Sequence, residues 1–599
     1  MPPSLPPRIL ITLQDNAGKQ PCSASLHTPT EPHLSVAATG EQTIAQAIYL
    51  SGKVAPVPLC NGMGQCGRCR VRYVQAPEAN PSLTPIPLPT PEDTATLSPE
   101  MLAQGWRLGC QHMATGTHLV ELPPNSRIHA NTAGPDSLNH GTAGQALHQP
   151  AELPNGLATQ KPAHQPDFPN TAPLFVGVDL GTTSLHWAVC TAKGTVLHQE
   201  SQLNPQAGAG SDCISRLAYA ATPQGKETLY NITLHALQGI AATANTFGPI
   251  ASLCLAANPS MTALALHAPT SGLATAPYAL EEPGGRATSL PGLPPVWLPP
   301  QFAPFVGGDI GAGLAAILAT NPHYPFLLAD LGTNGEFLLA LAPETMLCAS
   351  VALGPALEGI GLRFGTEARP GAISRFSLRP TGLHAYPLEQ GQGLEATAHT
   401  TQGMPGITGT GYLSLVRCLL QANAMGEDGH FTPEQSPMLR RFLAAPVAPC
   451  PCPLCHNAPI PPLPTTPYLP LPHGMFISAR DVEELLKVKA AFSLGLSLLL
   501  QEAGIPSHAL RAVYLAGALG LHAEKEALET LGFFPQGTAT RMHVLGNASL
   551  HGACLLAHSG QARKAVLAAA SHVTPLALAE HPSFMQGFAQ HMRFAWYAS

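Results

Sequence analysis

Phe175–Cys190 reads FVGVDLGTTSLHWAVC, and Pro325–Leu341 reads PFLLADLGTNGEFLLAL. Each is an apolar strand that enters a glycine turn and leaves as a second strand. The two turns share their chemistry: Asp179-Leu-Gly-Thr-Thr183 and Asp330-Leu-Gly-Thr-Asn-Gly335. Glycine permits a tight hairpin whose N–H groups face an anion, and Thr or Asn adds donors. The Asp carboxylate suits a divalent cation, often through water, beside phosphates. One such hairpin is an ordinary turn. Two copies about 150 residues apart, each behind a strand and with helical segments between, predict an α/β fold of two similar halves. A third stretch, VYLAGALG (Val513–Gly520), is an apolar strand entering another glycine turn, where an adenosine would rest against backbone. Taken alone, it reads equally as a plain strand-to-helix turn.

The N-terminal part looks different. CNGMGQCGRC (Cys60–Cys69) gives C-x5-C-x2-C, and Cys110 follows in GWRLGCQ. Four thiolates are what a 2Fe–2S cluster requires. Glycines 62, 64 and 67 let the backbone curl around such a cluster and aim N–H groups at its sulfurs. A zinc site usually pairs two short C-x2–4-C spacings, and only one is present here; free or disulfide-bonded thiols are the remaining alternative. The longer first gap is similar to that of ferredoxins of the adrenodoxin type.

RILITL (Arg8–Leu13), RVRYV (Arg70–Val74) and HLVELP (His118–Pro123) read as strands, and TIAQAIYLS (Thr43–Ser51) as a short helix. Residues 1–123 are thus expected to form a small α+β domain. Residues 124–173, rich in Pro, Gly, His and Asn, read as a flexible linker, with an end-to-end reach of roughly 40 Å. Residues 174–599 form the patterned remainder. A Pro-rich stretch near 445–472 reads as a surface insertion, because Pro blocks helix interiors and central strands. Its Cys450, Cys452, Cys455 and His456 are incidental thiols and imidazole, a small zinc site or a second cluster.

Length and charge bound the function. The 599 residues exceed one core, with 56 glycines and 63 prolines in long connectors. A net charge of −7 argues against a nucleic-acid partner. The start MPPSLPPRILITLQD lacks the pattern of a signal peptide, and Ala490–Leu500 is too short to span a membrane and reads as a buried helix. A cytoplasmic protein without membrane contact is expected, where clustered cysteines signal metal or redox work more often than disulfides.

The paired phosphate hairpins and the later glycine turn resemble the superfamily of actin, sugar kinases and Hsp70 chaperones. An adrenodoxin-type segment joined to such an ATPase resembles the reductive activators of corrinoid proteins. Further stretches carry that likeness: SDCISRLAYA (Ser211–Ala220), FVGGDIGAG (Phe305–Gly313), GPALEGIGLRFG (Gly354–Gly365), GITGTG (Gly406–Gly411), SARDVEELLKVKAAF (Ser478–Phe492) and VLGNASLHGA (Val544–Ala553). The resemblance implies a β-grasp ferredoxin domain followed by a two-lobed actin/sugar kinase/Hsp70-like ATPase domain. It implies a 2Fe–2S cluster, ATP and Mg2+ as cofactors. The implied partners are a corrinoid methyl-carrier protein, whose Co(II) is returned to Co(I), and a low-potential electron donor; a homodimer is the default assembly. Cys60, Cys66, Cys69 and Cys110 become the cluster ligands. Gly181, Thr182, Thr183, Gly332, Thr333, Asn334 and Gly335 contact phosphates, while Gly517 and Gly520 flank the adenosine. Asp179 and Asp330 position Mg2+ or the attacking water. Asp309 and Glu358 are candidate general bases, with turn capping or pairing to Arg363 as the structural alternative. Asp212 and Arg216 form an ion pair on a helix or face a partner. Relatives of this kind carry a middle domain between ferredoxin and ATPase, which the sequence leads one to expect is missing here. A redox-regulated ATP-dependent kinase and a ferredoxin module with a docking platform are the competing functions.

Overall fold

The computed structural model describes residues 8–13, 33–57, 59–64, 66–74, 83–123, 126, 172–359, 361–366, 368, 370–380, 382–388, 406–432, 466–578 and 581–597. The expected linker, apart from 126 and 172–173, lies outside them, as do Cys450, Cys452, Cys455 and His456.

The first sheet holds β1 (Arg8–Leu13), β2 (His33–Ala38), β3 (Arg70–Tyr73), β4 (Trp106–Leu108) and β5 (His118–Glu121) in the order β2-β1-β5-β3-β4. β1 and β2 run parallel; the other pairs are antiparallel. Alternation along RILITL sends Ile9 and Ile11 into the core, where both are fully buried. The helix Ile44–Tyr49 supplies Ile44 and Ile48 to the same core. It begins with a capping box: the Thr43 hydroxyl accepts from the Gln46 N–H, and the Gln46 side chain accepts from the Thr43 N–H. Glu121, almost wholly buried, braces the sheet by accepting from Arg8 and Arg72, each Nε at 2.8 Å.

The second sheet comprises β6 (Leu174–Leu180), β7 (Ser184–Thr191), β8 (Val196–Leu203), β9 (Ile250–Ala257), β10 (Arg286–Thr288) and β11 (Val296–Leu298), ordered β10-β11-β9-β6-β7-β8. Then come β12 (Phe326–Leu331), β13 (Asn334–Ala342) and β14 (Thr345–Ala352), the ribbons β15 (Ile373–Arg379) with β16 (Gly382–Pro387) and β17 (Tyr468–Pro470) with β18 (Phe476–Ser478), and finally β19 (Ala512–Ala516), β20 (Met542–Gly546) and β21 (Val573–Pro575). The third sheet is ordered β20-β19-β12-β13-β14-β21. The two large sheets repeat one design. The strand that ends in the Asp pairs parallel with β9 or β19 on one side and antiparallel with β7 or β13, its hairpin partner, on the other. A strand covered on both faces must be nearly continuous in apolar residues, and Val176, Val178 and Leu180, like Phe326, Leu327 and Leu328, are buried. This is the pair of similar halves that the repeated hairpins predict.

Two helices, Gly308–Leu318 and Ala548–His558, meet at Gly552. A Cβ there would fall well inside contact distance of the Ala312 carbonyl oxygen, which is backbone and cannot swing away. Gly552→Ala is therefore expected to destabilise the packing of these two helices by about 1–3 kcal/mol. Gly560→Ala, at a helix start with open space around it, is expected to leave the melting transition unchanged. Scanning calorimetry of the two variants checks the contrast; equal melting would contradict the close approach. The helix Ala479–Glu502 begins with a Ser478/Asp481 capping box and buries Ala490–Leu500 throughout, as its apolar run predicts. Among the described residues no helix is long and apolar enough to cross a membrane.

Candidate functional site

Asp179 and Asp330 each lie one residue before the end of their strands, β6 and β12, and the matching hairpins approach each other across one cleft, where Glu358 reaches both. In the first hairpin, Asn204 ties down the turn. Its backbone N–H donates to the Thr183 carbonyl at 2.8 Å, and its Nδ2 to the Gly181 carbonyl at 2.7 Å. In the second, the Gly332 N–H donates to the Asn334 carbonyl at 3.0 Å. Glu358 connects the two: it accepts from the Thr183 hydroxyl at 2.6 Å and from the Thr333 hydroxyl. That places Glu358 as a brace between the hairpins, and Arg363 instead gives its backbone N–H to Asp481 at 2.7 Å.

Besides Glu358, the carboxyl groups of Asp179, Asp309, Asp330 and Glu336 share this region. Asp179 is held by Asn547 Nδ2 at 2.7 Å and by the Ser549 hydroxyl at 2.9 Å. Burial, and then Asp179, push Asp309 up to about 7; a hydrogen bond from the Ile310 N–H opposes this. Burial, followed by the charges of Asp309 and Asp179, pushes Asp330 up to about 8. Glu336 is raised well above the usual carboxylate range by burial and by Asp309 and Asp330. Like charges in a dry cleft favour either protons or a cation. Among the described residues, no group of three or more His, Cys, Asp or Glu is arranged to hold a metal ion. That is compatible with Mg2+, which commonly binds through one or two carboxylates plus substrate phosphates and keeps several waters.

A stability consequence follows. Asp309 and Asp330 hold protons in the folded protein that the unfolded chain releases above its ordinary value of 3.8. Their contribution to stability is full below that pH and is lost as pH rises through about 7 to 8. A divalent cation arriving with a nucleotide would supply the missing counter-charge. The expected result is a larger rise in melting temperature on adding both ligands at pH 8.5 than at pH 6.5, measured calorimetrically; a pH-independent rise would contradict the shared-charge cleft.

Gly517 opens the helix Gly517–His522 at a φ of 80°, and a Cβ there would sit 2.5 Å from Asp330 Oδ1. Gly520 is buried in the same helix, over Leu515. Gly517 therefore borders the carboxylate end of the cleft, whereas Gly520 serves helix-to-strand packing. The Asp212–Arg216 ion pair is absent among the described residues. Asp212 caps the helix Cys213–Tyr219 by accepting from the Ser215 N–H at 2.8 Å. Arg216, fully buried, donates to the carbonyls of Gly210 at 2.9 Å and Thr182 at 2.6 Å. Asn258 Nδ2 adds a 3.0 Å bond to the Thr182 hydroxyl.

In the cysteine loop, Cys60 and Cys69 are buried, Cys66 and Cys110 half-buried, and none is in a disulfide. The thiols meet as two hydrogen-bonded pairs, Cys60 with Cys66 and Cys69 with Cys110. The bond between Cys69 and Cys110 pushes the first thiol up and the second down, to about 7. Gly62, Gly64 and Gly67 all have positive φ, and a Cβ at Gly64 would lie 2.6 Å from Glu92 Cβ. Gln111 Nε2 donates to Cys110 Sγ at 3.3 Å.

With this geometry in hand, comparison with known proteins is informative. The family model described as the C-terminal domain of RACo, the ASKHA domain, matches residues 325–445 and 470–597. The model of the RACo middle region matches 174–321. The middle region expected to be missing is therefore present: it is the half built on β6–β11, and its boundary with the ASKHA domain falls just before β12. The chain is 27% identical over 446 residues to the corrinoid activation enzyme RamQ of Eubacterium limosum, covering 70% of each. It is 28% identical over 270 residues to a [Co(II) methylated amine-specific corrinoid protein] reductase of Methanosarcina barkeri, covering 42% of each. A solved reductive activator for corrinoid, iron–sulfur protein shares the fold over 98% of both chains, with a TM-score of 0.58 at 20% identity.

Proposed function

Since this chain belongs to the RACo family of reductive activators of corrinoid proteins, we propose that it transfers a low-potential electron through a 2Fe–2S cluster to the Co(II) of a corrinoid methyl-carrier protein, giving Co(I), at the expense of ATP. The observation that carries this reading is the joining of two things in one chain: four cysteines meeting in pairs, and two Asp-Gly-Thr hairpins braced by Glu358.

The four cysteines supply the ligand type and the pairing that the cluster needs, while among the described residues they do not close into one metal-binding group. A four-thiolate, two-iron cluster asks for two sulfurs at each iron, and the chain presents Cys60 with Cys66 and Cys69 with Cys110. The mixed sheet with the helix Ile44–Tyr49 packed on it supports the reading of residues 1–123 as a β-grasp, ferredoxin-type domain. When bound, such a cluster accepts and releases one electron at a time. The chain's own contribution is to fix the four sulfurs, to bring positive-φ glycine backbone close, and to set the Gln111 amide against Cys110.

The rest of the chain supplies the drive. Each ~59 mV uphill costs a one-electron step a factor of ten, or about 1.4 kcal/mol. ATP offsets such a gap only through differential affinity for two states of the complex. In the cleft, the backbone at Gly181–Thr183 and Gly332–Gly335 holds the phosphates. Asp179, fixed by Asn547 and Ser549, and Asp330 face the cation. Asp309 orients water, and Glu358 joins the two hairpins so that they move together. The electron comes from a low-potential donor in the cytoplasm.

The test is reconstitution of the full chain with iron and sulfide, followed by metal analysis and electron paramagnetic resonance after reduction. Two irons and two sulfides per chain with a rhombic one-electron signal support the reading; one zinc and no signal overturn it.

A further inference from the structure

The cysteine loop does not stand apart from the nucleotide cleft. Asn61, directly after Cys60, sits at a φ of 52° and turns its amide onto the middle region. Its Oδ1 accepts from the Ser211 N–H and from the Ser211 hydroxyl at 2.8 Å; its Nδ2 donates to Asp212. Gln42 Nε2 adds a 3.0 Å bond to the Tyr219 hydroxyl. The fit is close: a Cβ on Gly208 would lie 2.9 Å from Tyr49 Cβ, and Leu50 joins the apolar core of the middle region. The segment that receives Asn61 leads straight to the first phosphate hairpin. Asp212 caps the helix Cys213–Tyr219, and Arg216 of that helix clamps the carbonyls of Gly210 and Thr182. Two hydrogen bonds and one turn of helix thus link Thr182, in the first glycine hairpin, to Asn61, the neighbour of Cys60.

We propose that Asn61 is a positioning residue, which latches the cysteine loop to the Ser211–Asp212 turn so that nucleotide at Thr182 sets how firmly the electron carrier is docked. This rests on the cluster and ATP assignments above. The bond pattern is directional. Asp212 uses Oδ1 to cap its helix and Oδ2 to receive Asn61. In Asn61→Asp the carboxylates face each other, and the latch opens. Adding Asp212→Asn returns a donor to that position, keeps an acceptor for the Ser215 N–H, and recloses the latch with its polarity exchanged.

Hydrogen exchange of the 208–216 segment in the full chain reads the latch through the Ser211 amide. Exchange is expected to speed about tenfold in Asn61→Asp and to return to the parent rate in the double variant. A nonhydrolysable ATP analogue should alter this exchange in the parent and the double variant, and leave Asn61→Asp unmoved. With a Co(II) corrinoid protein, Asn61→Asp should lose about tenfold in kcat at unchanged KM, with unchanged iron content and unchanged ATP turnover without corrinoid. Parent-like exchange in Asn61→Asp, or a double variant no better than the single, overturns the latch. The exchange readout is independent of cobalt chemistry, so a parent that shows the latch and makes no Co(I) overturns the proposed function and leaves the latch standing.

Discussion

Cys66→Ser is expected to abolish electron delivery and to leave nucleotide binding intact. Cys66 is half-buried and hydrogen-bonded to Cys60, and the hydroxyl of serine is a poorer and less easily ionised ligand. Residues that merely support metal ligands are worth 10- to 100-fold, so loss of a ligand should cost about 100-fold or more in cluster retention and in Co(II) reduction. Among the described residues no hydrogen bond joins Cys66 to the phosphate hairpins, and the Asn61 latch does not use its thiol, so ATP affinity by calorimetric titration should remain within about twofold. Full Co(II) reduction by the variant would remove the cysteine loop from the pathway.

Asp330→Asn is expected to separate stability from turnover. Burial and the neighbouring Asp309 and Asp179 make the Asp330 charge costly in the empty cleft, so the neutral isostere should melt at the same temperature or higher. In the proposed nucleotide-bound state, the same charge would face the cation. Its removal should lower ATP hydrolysis by about 10²–10³-fold, the range found when a single preorganised electrostatic contact is lost. Phosphate release and a melting curve on one preparation check both halves. A variant that melts lower and hydrolyses at the parent rate would show Asp330 to be structural.

The parts legible in the sequence were those whose chemistry forces a pattern. A strand flanked on both faces must be continuously apolar, and a hairpin that cradles an anion needs glycine, so β6–β7 and β12–β13 declared themselves. β1, β3 and β5 did so through alternation. β2 is hard to read because the small Ser and Ala side chains of HLSVAA make its alternation faint, and β4 because three residues show no period. Arg216 reads as one half of an ion pair with Asp212, or as partner-facing, because a four-residue helical spacing suits such a pair; tertiary packing buries it against two carbonyls instead. Glu336 went unnoticed although it follows the second hairpin directly, because its role comes from Asp309 and Asp330, far away or on the neighbouring strand end. Asn547 and Ser549, which hold Asp179, lie 368 and 370 residues from it, a separation no local pattern spans. The middle region is hidden for a related reason: no composition change marks it off, because it is itself the first of the two similar halves and not the stretch before Leu174.

The central claim is that one chain couples nucleotide to an electron transfer that is otherwise uphill. The direct measurement mixes the iron-loaded full-length protein, a Co(II) corrinoid protein and a low-potential reductant, and follows the Co(I) absorbance before and after ATP is added. Co(I) that accumulates only once ATP is present is the expected result. Equal Co(I) with and without ATP, or none in either case, would contradict the coupling.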